Sequence, residues 1–133
     1  MAVTILGGVE YPVEYNWEAI EGIQTELSED SLSSLAQTIV AVLNNTGKIT
    51  NKDMGLVMRT AKIIIYHGLR GAALSEDKPC PFKSPSHVGT RLSDFKEAGK
   101  QLGLFYAAMN QLFSADPDDA EPLGESKGEA TPL

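Results

Sequence analysis

One cysteine and two histidines are the side chains of this 133-residue chain best suited to hold zinc or to act as nucleophile and base. A structural zinc site takes four ligands clustered in short pairs, and the spacing of His67, Cys80 and His87 matches no such pair. A catalytic thiol needs a base and an oxyanion site, yet Cys80 lies between Pro79 and Pro81 with no glycine-rich element nearby. The sequence therefore predicts neither a metal site nor a catalytic cysteine.

Carboxylate pairs and glycine motifs give no stronger indication of catalysis. The pairs Glu29-Asp30 and Glu76-Asp77 fall in predicted loops, without the apolar surroundings that general acid catalysis requires. No G-x-x-x-x-G-K-[ST] or H-E-x-x-H motif is present, and Gly7-Gly8 lacks the rest of a dinucleotide fingerprint. We therefore expect a protein that is not an enzyme and that binds no cofactor.

The triplet Asp30-Ser31-Leu32 resembles the site of acyl carrier proteins, in which the serine bears a phosphopantetheine arm. The acidic composition and the predicted helices agree with that family. However, only residues 28–30 separate Ser31 from the first predicted helix, whereas acyl carrier proteins have a long loop there. Asp and Ser are also common helix caps, so an acyl-carrier-like protein stays a less favoured alternative.

The charge of the chain is unevenly distributed along its length. The net charge is −7, with seven acids and no Lys or Arg in residues 1–47, ten bases against five acids in residues 48–100, and six acids against one base in residues 101–133. A basic block between two acidic ones gives weak support for nucleic-acid binding, which needs an extended basic face. The pattern instead favours contacts within the fold or with a protein partner.

Two β-rich stretches open the chain. Val3–Leu6 and Tyr11–Tyr15 are separated by Gly7-Gly8, a turn signal. Alternation in the second stretch puts its apolar side chains on one face, and Pro12 indicates an edge strand. The sequence predicts an N-terminal β-hairpin.

Two helices are predicted to follow the hairpin. Asn16 can cap a helix over Trp17–Leu27, and a second helix is predicted over Ser31–Leu43. Residues at helical spacing give each helix one apolar face: Trp17, Ile20, Ile23 and Leu27 in the first, and Leu32, Leu35, Ala36, Ile39 and Leu43 in the second.

A third helix is predicted after Thr50, which forms a capping-box pattern with Asp53. Gly68 and Gly71 are expected to mark its end, with His67 contacting the last carbonyls. Its apolar face carries Met54, Val57, Met58, Ala61, Ile64 and Ile65. Proline residues then predict a loop over Ser75–Pro85, followed by one short turn over Ser86–Leu92.

The last predicted helix runs from Asp94 to Phe113 with Ser93 as its cap. Tyr106 and Phe113 widen its apolar stripe, and either a wide core or an interface explains the surplus. The seam itself repeats at spacings of four and three through Ala98, Leu102, Phe105, Met109 and Leu112.

Residues 115–133 differ from the rest in carrying six acids, three prolines and no aromatic side chain. Such a segment cannot bury enough apolar area to offset its ordering entropy, so we expect a disordered acidic tail. Residues 1–114 are then expected to form one mainly α domain, a compact bundle of four to five helices after the hairpin.

No apolar run approaches the ~20 residues of a bilayer span, and neither a secretory signal nor a pair of cysteines is present, which favours a protein kept inside the cell.

The order of these features resembles the small tail-assembly chaperones of long-tailed phages and gene transfer agents. The resemblance covers about residues 5–71 and rests on patterns of residues. It is carried by the segments LGGVEYPVEYN, WEAIEGIQTEL, SLSSLAQTIVAVL and ITNKDMGLVMRTAKIIIYHGLRG, the last of which closes on Tyr-x-Gly-Leu.

The resemblance implies a chaperone in the cytoplasm of a host bacterium that coats the tape-measure protein, helps to recruit tail-tube subunits and is absent from the mature virion. Many such proteins also have a frameshifted longer form, for which residues 115–133 would serve as a tether. A structural tail component, such as a tube-end or connector subunit, is the main alternative.

Six apolar residues could contact a partner or a second copy, and core packing is the alternative for each of them. These residues are Met54, Met58, Phe105, Tyr106, Met109 and Phe113. Neither nucleic acid nor membrane is expected as a partner.

Overall fold

The computed structural model describes residues 2–27, 37 and 51–113. Within these residues the chain forms an N-terminal β-hairpin followed by four helices, which confirms the prediction of a mainly α fold that opens on a hairpin. Three predictions lie outside the described residues: the helix over Ser31–Leu43, the capping box of Thr50 with Asp53, and the tail 115–133.

The hairpin pairs β1 (Val3–Leu6) with β2 (Val9–Pro12) in antiparallel register, with Leu6 opposite Val9. Gly7 and Gly8 form the two-residue turn with φ values of 59° and 80°, a conformation that glycine adopts without steric cost. Because the turn has only two residues, the pairing of the strands begins at Val9. Strand β2 therefore begins two residues before the predicted strand Tyr11–Tyr15.

An extended segment continues β2 towards the first helix and keeps the predicted alternation. Val13 and Tyr15 are buried, and Glu14 between them is exposed. The Val13 amide donates to the carbonyl of Ala2 at 3.0 Å, and the Glu14 amide donates to the carbonyl of Gly68 at 2.9 Å. The segment is therefore held by backbone bonds although it lies outside the sheet.

Helix α1 (Trp17–Glu26) is capped by Asn16, as predicted, because its Oδ1 accepts from the Ala19 amide at 3.0 Å. Ile20 and Ile23 are buried, but Trp17 is 60 % exposed, so its predicted place on the apolar face is wrong. The first turn of α1 approaches Gly71 so closely that only the small side chain of Ala19 fits between the helices.

Helix α2 (Asn51–Ser75) passes through Gly68 and Gly71 without a break, so the prediction that these glycines end it is wrong. A Cβ at Gly68 would lie 2.7 Å from the Tyr15 ring, and one at Gly71 would lie 2.5 Å from the Glu14 carbonyl oxygen. The glycines are therefore used for close packing against the segment that leads into α1. The helix ends at Ser75.

After the predicted proline-containing loop, Ser84 caps a short helix α3 (Pro85–Gly89), with its Oγ accepting from the His87 amide. Helix α4 (Phe95–Phe113) follows. Its first turn is capped by Asp94, whose Oδ1 accepts from the Lys96 amide at 2.9 Å, so the assignment of the cap to Ser93 is wrong.

The described core lies where the hairpin, α1 and α4 converge on α2. The predicted seam of α4 is buried at Ala98, Leu102 and Phe105, but Leu112 near its end is exposed. Within the described residues no helix is long and apolar enough to cross a bilayer. The largest fully buried apolar side chains are Leu6, Val13, Ile20, Ile23, Ile64, Ile65, Leu69, Leu102 and Phe105.

Candidate functional site

A buried polar network joins the hairpin to α4, centred on the carboxylate of Glu97. Its Oε2 accepts from the Thr4 hydroxyl at 2.8 Å, from the Ile5 amide at 3.1 Å and from Gln101 Nε2 at 2.9 Å. Gln101 Nε2 also donates to the Val3 carbonyl at 3.0 Å. Glu97 and Gln101, one turn apart on α4, thus form hydrogen bonds with backbone groups on the edge of β1 that does not pair with β2. They take the place that a neighbouring strand would have.

Tyr15 completes this network by donating its hydroxyl to Gln101 Oε1 at 2.9 Å. Burial, and then the negative charge of Glu97, raise the pKa of the Tyr15 phenol well above its ordinary value of about 10. The phenol is therefore a neutral donor. Because these groups bond one another and the backbone, the network joins the hairpin to α4.

His67 lies inside α2 and not at its end as predicted. Arg70 Nε donates to His67 Nδ1 at 3.2 Å, and His67 Nε2 lies 2.6 Å from Glu26 Oε1 on α1. Because Nδ1 accepts from Arg70, the hydrogen bond to Glu26 is donated by Nε2. Gly22 makes room for the ring, because a Cβ there would lie 2.6 Å from Nδ1. Nε2 thus joins α2 to α1 through Glu26, and Nδ1 positions Arg70, whose guanidinium also donates to the Glu18 carbonyl of α1 at 3.1 Å.

The other two candidate chemical groups lie near the loop between α2 and α3. His87 accepts from the Lys83 amide at 3.2 Å and packs on the Phe82 ring. Cys80 is a half-buried free thiol that packs against the core. Within residues 2–27 and 51–113, no group of three or more His, Cys, Asp or Glu side chains could hold a metal ion.

An open apolar groove of about 760 Å³ lies between the first turns of α2 and the start of α4. Met54 and Met58, four residues apart on α2, lie along one wall with 38 % and 56 % of their surface exposed. Phe95 and Leu92 form the opposite wall, and Ala98 lies at the base. Large exposed apolar side chains gathered in one concavity are typical of a protein-binding surface.

Two cations and a helix terminus border the groove. Arg59 and Lys62 follow Met58 on α2, and the aliphatic stem of Lys62 crosses to Gly89. The N-terminus of α4, where backbone amides give a partial positive charge, lies beside Arg59 and Lys62. It is capped by Asp94. The border is therefore positive on balance, although the chain as a whole is acidic.

The structure separates the residues predicted as protein contacts. Met54 and Met58 line the groove, whereas Phe105 is 1 % exposed and lies in the core. Tyr106 and Met109 are half-buried against that core, and the side chain of Phe113 lies outside the described part of the chain.

Other groove residues were missed by sequence reasoning. Arg59 and Lys62 follow Gly55 at intervals of four and three residues, so they lie along α2 beside Met54 and Met58. This helical spacing was the signal from which their position next to the methionines could have been predicted. Phe95 and Leu92 gave no such signal, because their part in the groove depends on how α4 is placed against α2.

No family model, curated protein or solved structure matches the chain. Function is therefore inferred from the groove and from the chemistry of the side chains around it.

Proposed function

We propose that the protein is a phage tail-assembly chaperone, which binds the tape-measure protein and tail-tube subunits while the tail is built. The observation that carries the proposal is the groove in which Met54, Met58 and Phe95 expose apolar surface. Among residues 2–27 and 51–113 these apolar side chains remain exposed, and a cluster of this kind is typical of an interaction surface. The pattern of residues 5–71 is the second support.

The groove would act by reversible binding of an apolar segment of the partner. Methionine has an unbranched, flexible side chain with a polarizable sulfur, and it adapts to partners of different shape. Met54 and Met58 would therefore shield several similar helical segments of a long tape-measure protein in turn. The net charge of −7 would keep the resulting complex soluble.

A role without catalysis is part of the proposal. Its support is that the buried polar groups of the described chain bond one another: Glu97 accepts from three donors, and His67 is engaged through both ring nitrogens. A catalytic base requires a lone pair directed towards a substrate.

Two alternatives make different predictions. A tube-end or connector subunit would remain in finished particles, whereas a chaperone would leave them. An acyl-carrier-like protein would gain the mass of a phosphopantetheine group at Ser31.

Co-expression of the full chain with a tape-measure protein, which the proposal expects to be encoded near it, tests the proposal. We expect soluble tape-measure protein and a complex that copurifies with the wild-type chain. The double substitution Met54→Glu/Met58→Glu should lower recovery of the complex at least tenfold, because it places two charges in the apolar groove. Leu74→Glu is the matched control, since Leu74 is 52 % exposed at the far end of the same helix.

Three results would contradict the proposal. The first is equal recovery of the complex with the groove variant and with wild type. The second is a tape-measure protein that is equally soluble without the chain. The third is stoichiometric retention of the chain in mature particles, which would favour the connector alternative.

A further inference from the structure

The border of the groove carries two positive side chains that are available to a partner. Arg59 is exposed, Lys62 is half-exposed, and both line the concavity. Among residues 2–27 and 51–113 the one ion pair between a carboxylate and a Lys or Arg side chain joins Lys78 to Glu76. Neither groove cation is thus neutralised by a described carboxylate.

The position of these cations relative to the apolar wall is ordered. Met54 and Met58 form one row on α2, and Gly55, Arg59 and Lys62 form the adjacent row. The Arg59 guanidinium lies 3.4 Å from the place where a Gly55 Cβ would be, so it covers the helix surface beside the methionines. A bound segment would therefore meet an apolar strip with a cationic strip alongside it.

The dimensions of the groove fit a short length of helix. Met54 and Lys62 are eight residues apart on α2, which corresponds to about 12 Å of helix or roughly two turns. A volume of about 760 Å³ has room for several apolar side chains. Two turns of a partner helix present apolar anchors at spacings of three and four residues, with a neighbouring flank free for other contacts.

We propose that the groove binds an amphipathic helix with apolar anchors at i, i+3 or i+4 and acidic residues on the flank that faces Arg59 and Lys62. The proposal rests on the proposed function, because it names the chemistry of the segment that the chaperone groove holds. Charge complementarity selects this occupant: a basic flank would place like charges against Arg59 and Lys62, while Asp94 offsets the partial positive charge at the start of α4.

Two synthetic peptides test the proposal, used with the full chain and measured by fluorescence anisotropy. Both are 20-residue helices with the same Leu and Phe anchors, and one carries Glu and the other Lys on the flank beside the anchors. We expect the Glu peptide to bind about 3- to 10-fold more tightly at low salt, with the difference shrinking as ionic strength rises.

Charge reversal on the protein provides the matched comparison. Arg59→Glu/Lys62→Glu should reverse the preference, so that the Lys peptide binds more tightly. Lys83→Glu/Lys100→Glu changes the net charge by the same amount at exposed positions outside the groove, and it should leave the preference for the Glu peptide in place. Circular dichroism of each variant confirms that a changed preference does not come from unfolding.

Absence of binding by either peptide, or equal loss of preference in the two double variants, would overturn the proposal. A photo-crosslinker at Met58 that joins the chain's own residues 28–50 equally with and without the Glu peptide would overturn it as well.

The peptide and co-expression experiments distinguish failure of the acidic-flank proposal from failure of the proposed function. If the tape-measure complex depends on Met54 and Met58 while the peptides are not discriminated, the acidic-flank proposal fails and the chaperone proposal stands. If the peptides are discriminated while the tape-measure protein does not bind, the acidic-flank proposal stands and the chaperone proposal fails.

Discussion

Tyr15 shows how single side chains connect the separate elements of this fold. Its ring packs edge-on to Phe105 in the core, its hydroxyl donates to Gln101 on α4, and its edge contacts Gly68 on α2. Backbone bonds from Val13 and Glu14 hold the start of the extended segment, and the Tyr15 side chain adds contacts to α2 and α4. We infer that such side-chain bonds hold the hairpin and α1 in place.

Replacing Tyr15 with Phe should change how stability depends on pH. The folded-state pKa of Tyr15 is raised by burial and by Glu97, so its contribution is fully present below the unfolded pKa of about 10 and is lost as pH rises above it. Loss of the buried hydrogen bond should make Tyr15→Phe about 1 kcal/mol less stable than wild type at pH 8. Between pH 8 and pH 11 the wild type alone should lose about 1.4 kcal/mol, because Tyr15 ionises in its unfolded state. The order of stability should therefore reverse, with Tyr15→Phe slightly more stable than wild type at pH 11.

Urea unfolding of both proteins at the two pH values measures this difference, and the other ionisable groups cancel in the comparison. A difference that stays constant from pH 8 to pH 11 would show that the phenol ionises as easily in the folded protein as in the unfolded chain.

At the scale of elements, the glycines of α2 have different functions despite being in one helix. Gly68 and Gly71 lie under the segment that leads into α1, with no room for a methyl group. Gly55 lies at the groove, where the nearest atom to an added Cβ is the flexible end of Arg59 at 3.4 Å. The same substitution at Gly71 and Gly55 should therefore change stability in opposite directions.

Gly71→Ala should destabilise the protein by about 1–3 kcal/mol, because its methyl group would lie 2.5 Å from the Glu14 carbonyl oxygen and 2.8 Å from Asn16 Oδ1. Gly55→Ala should stabilise it by about 0.5–1 kcal/mol through the higher helix propensity of alanine. Thermal or urea unfolding of the two variants measures both effects. A Gly71→Ala variant as stable as wild type would mean that α2 does not pack on the Glu14–Asn16 segment as described, and a destabilised Gly55→Ala would contradict the open surroundings of Gly55.

These glycines also show why the sequence predicts the helices better than their packing. Periodicity and a capping residue located α1 correctly, since both are properties of neighbouring residues. Gly68 and Gly71 were misread as a helix end, because a glycine needed for close approach has the same sequence signature as a terminal one. Trp17 was misplaced for the same reason: the limited space beside Gly71 is set by another element.

At the scale of the whole molecule, the groove brings together residues that no local pattern connects. Met54 and Met58 could be predicted from their type and spacing on one helix. Arg59 and Lys62 become functional candidates only once Phe95 and the start of α4 lie opposite them. Phe105, predicted as a contact from its place in the seam of α4, lies in the core because the same seam is what packs α4 on the rest of the fold.

The distribution of charge has a related consequence. The chain carries a net −7, yet the described border of its apolar groove is positive. An acidic molecule repels further copies of itself at long range, while a local positive border attracts acidic flanks at short range. The arrangement would favour a chaperone that coats a partner without precipitating with it.

The most direct test of the groove as the working surface uses the four methionines of the chain as NMR reporters. With ¹³C-methyl-labelled methionine, a helical fragment of the tape-measure protein is titrated into the full chain. If the groove binds the fragment, the Met54 and Met58 methyl signals should shift or broaden in a saturable way. Met109, about 16 Å further along α4 than the groove residue Ala98, should stay unchanged. Saturable shifts confined to Met109, or bound fragment with Met54 and Met58 unperturbed, would contradict it.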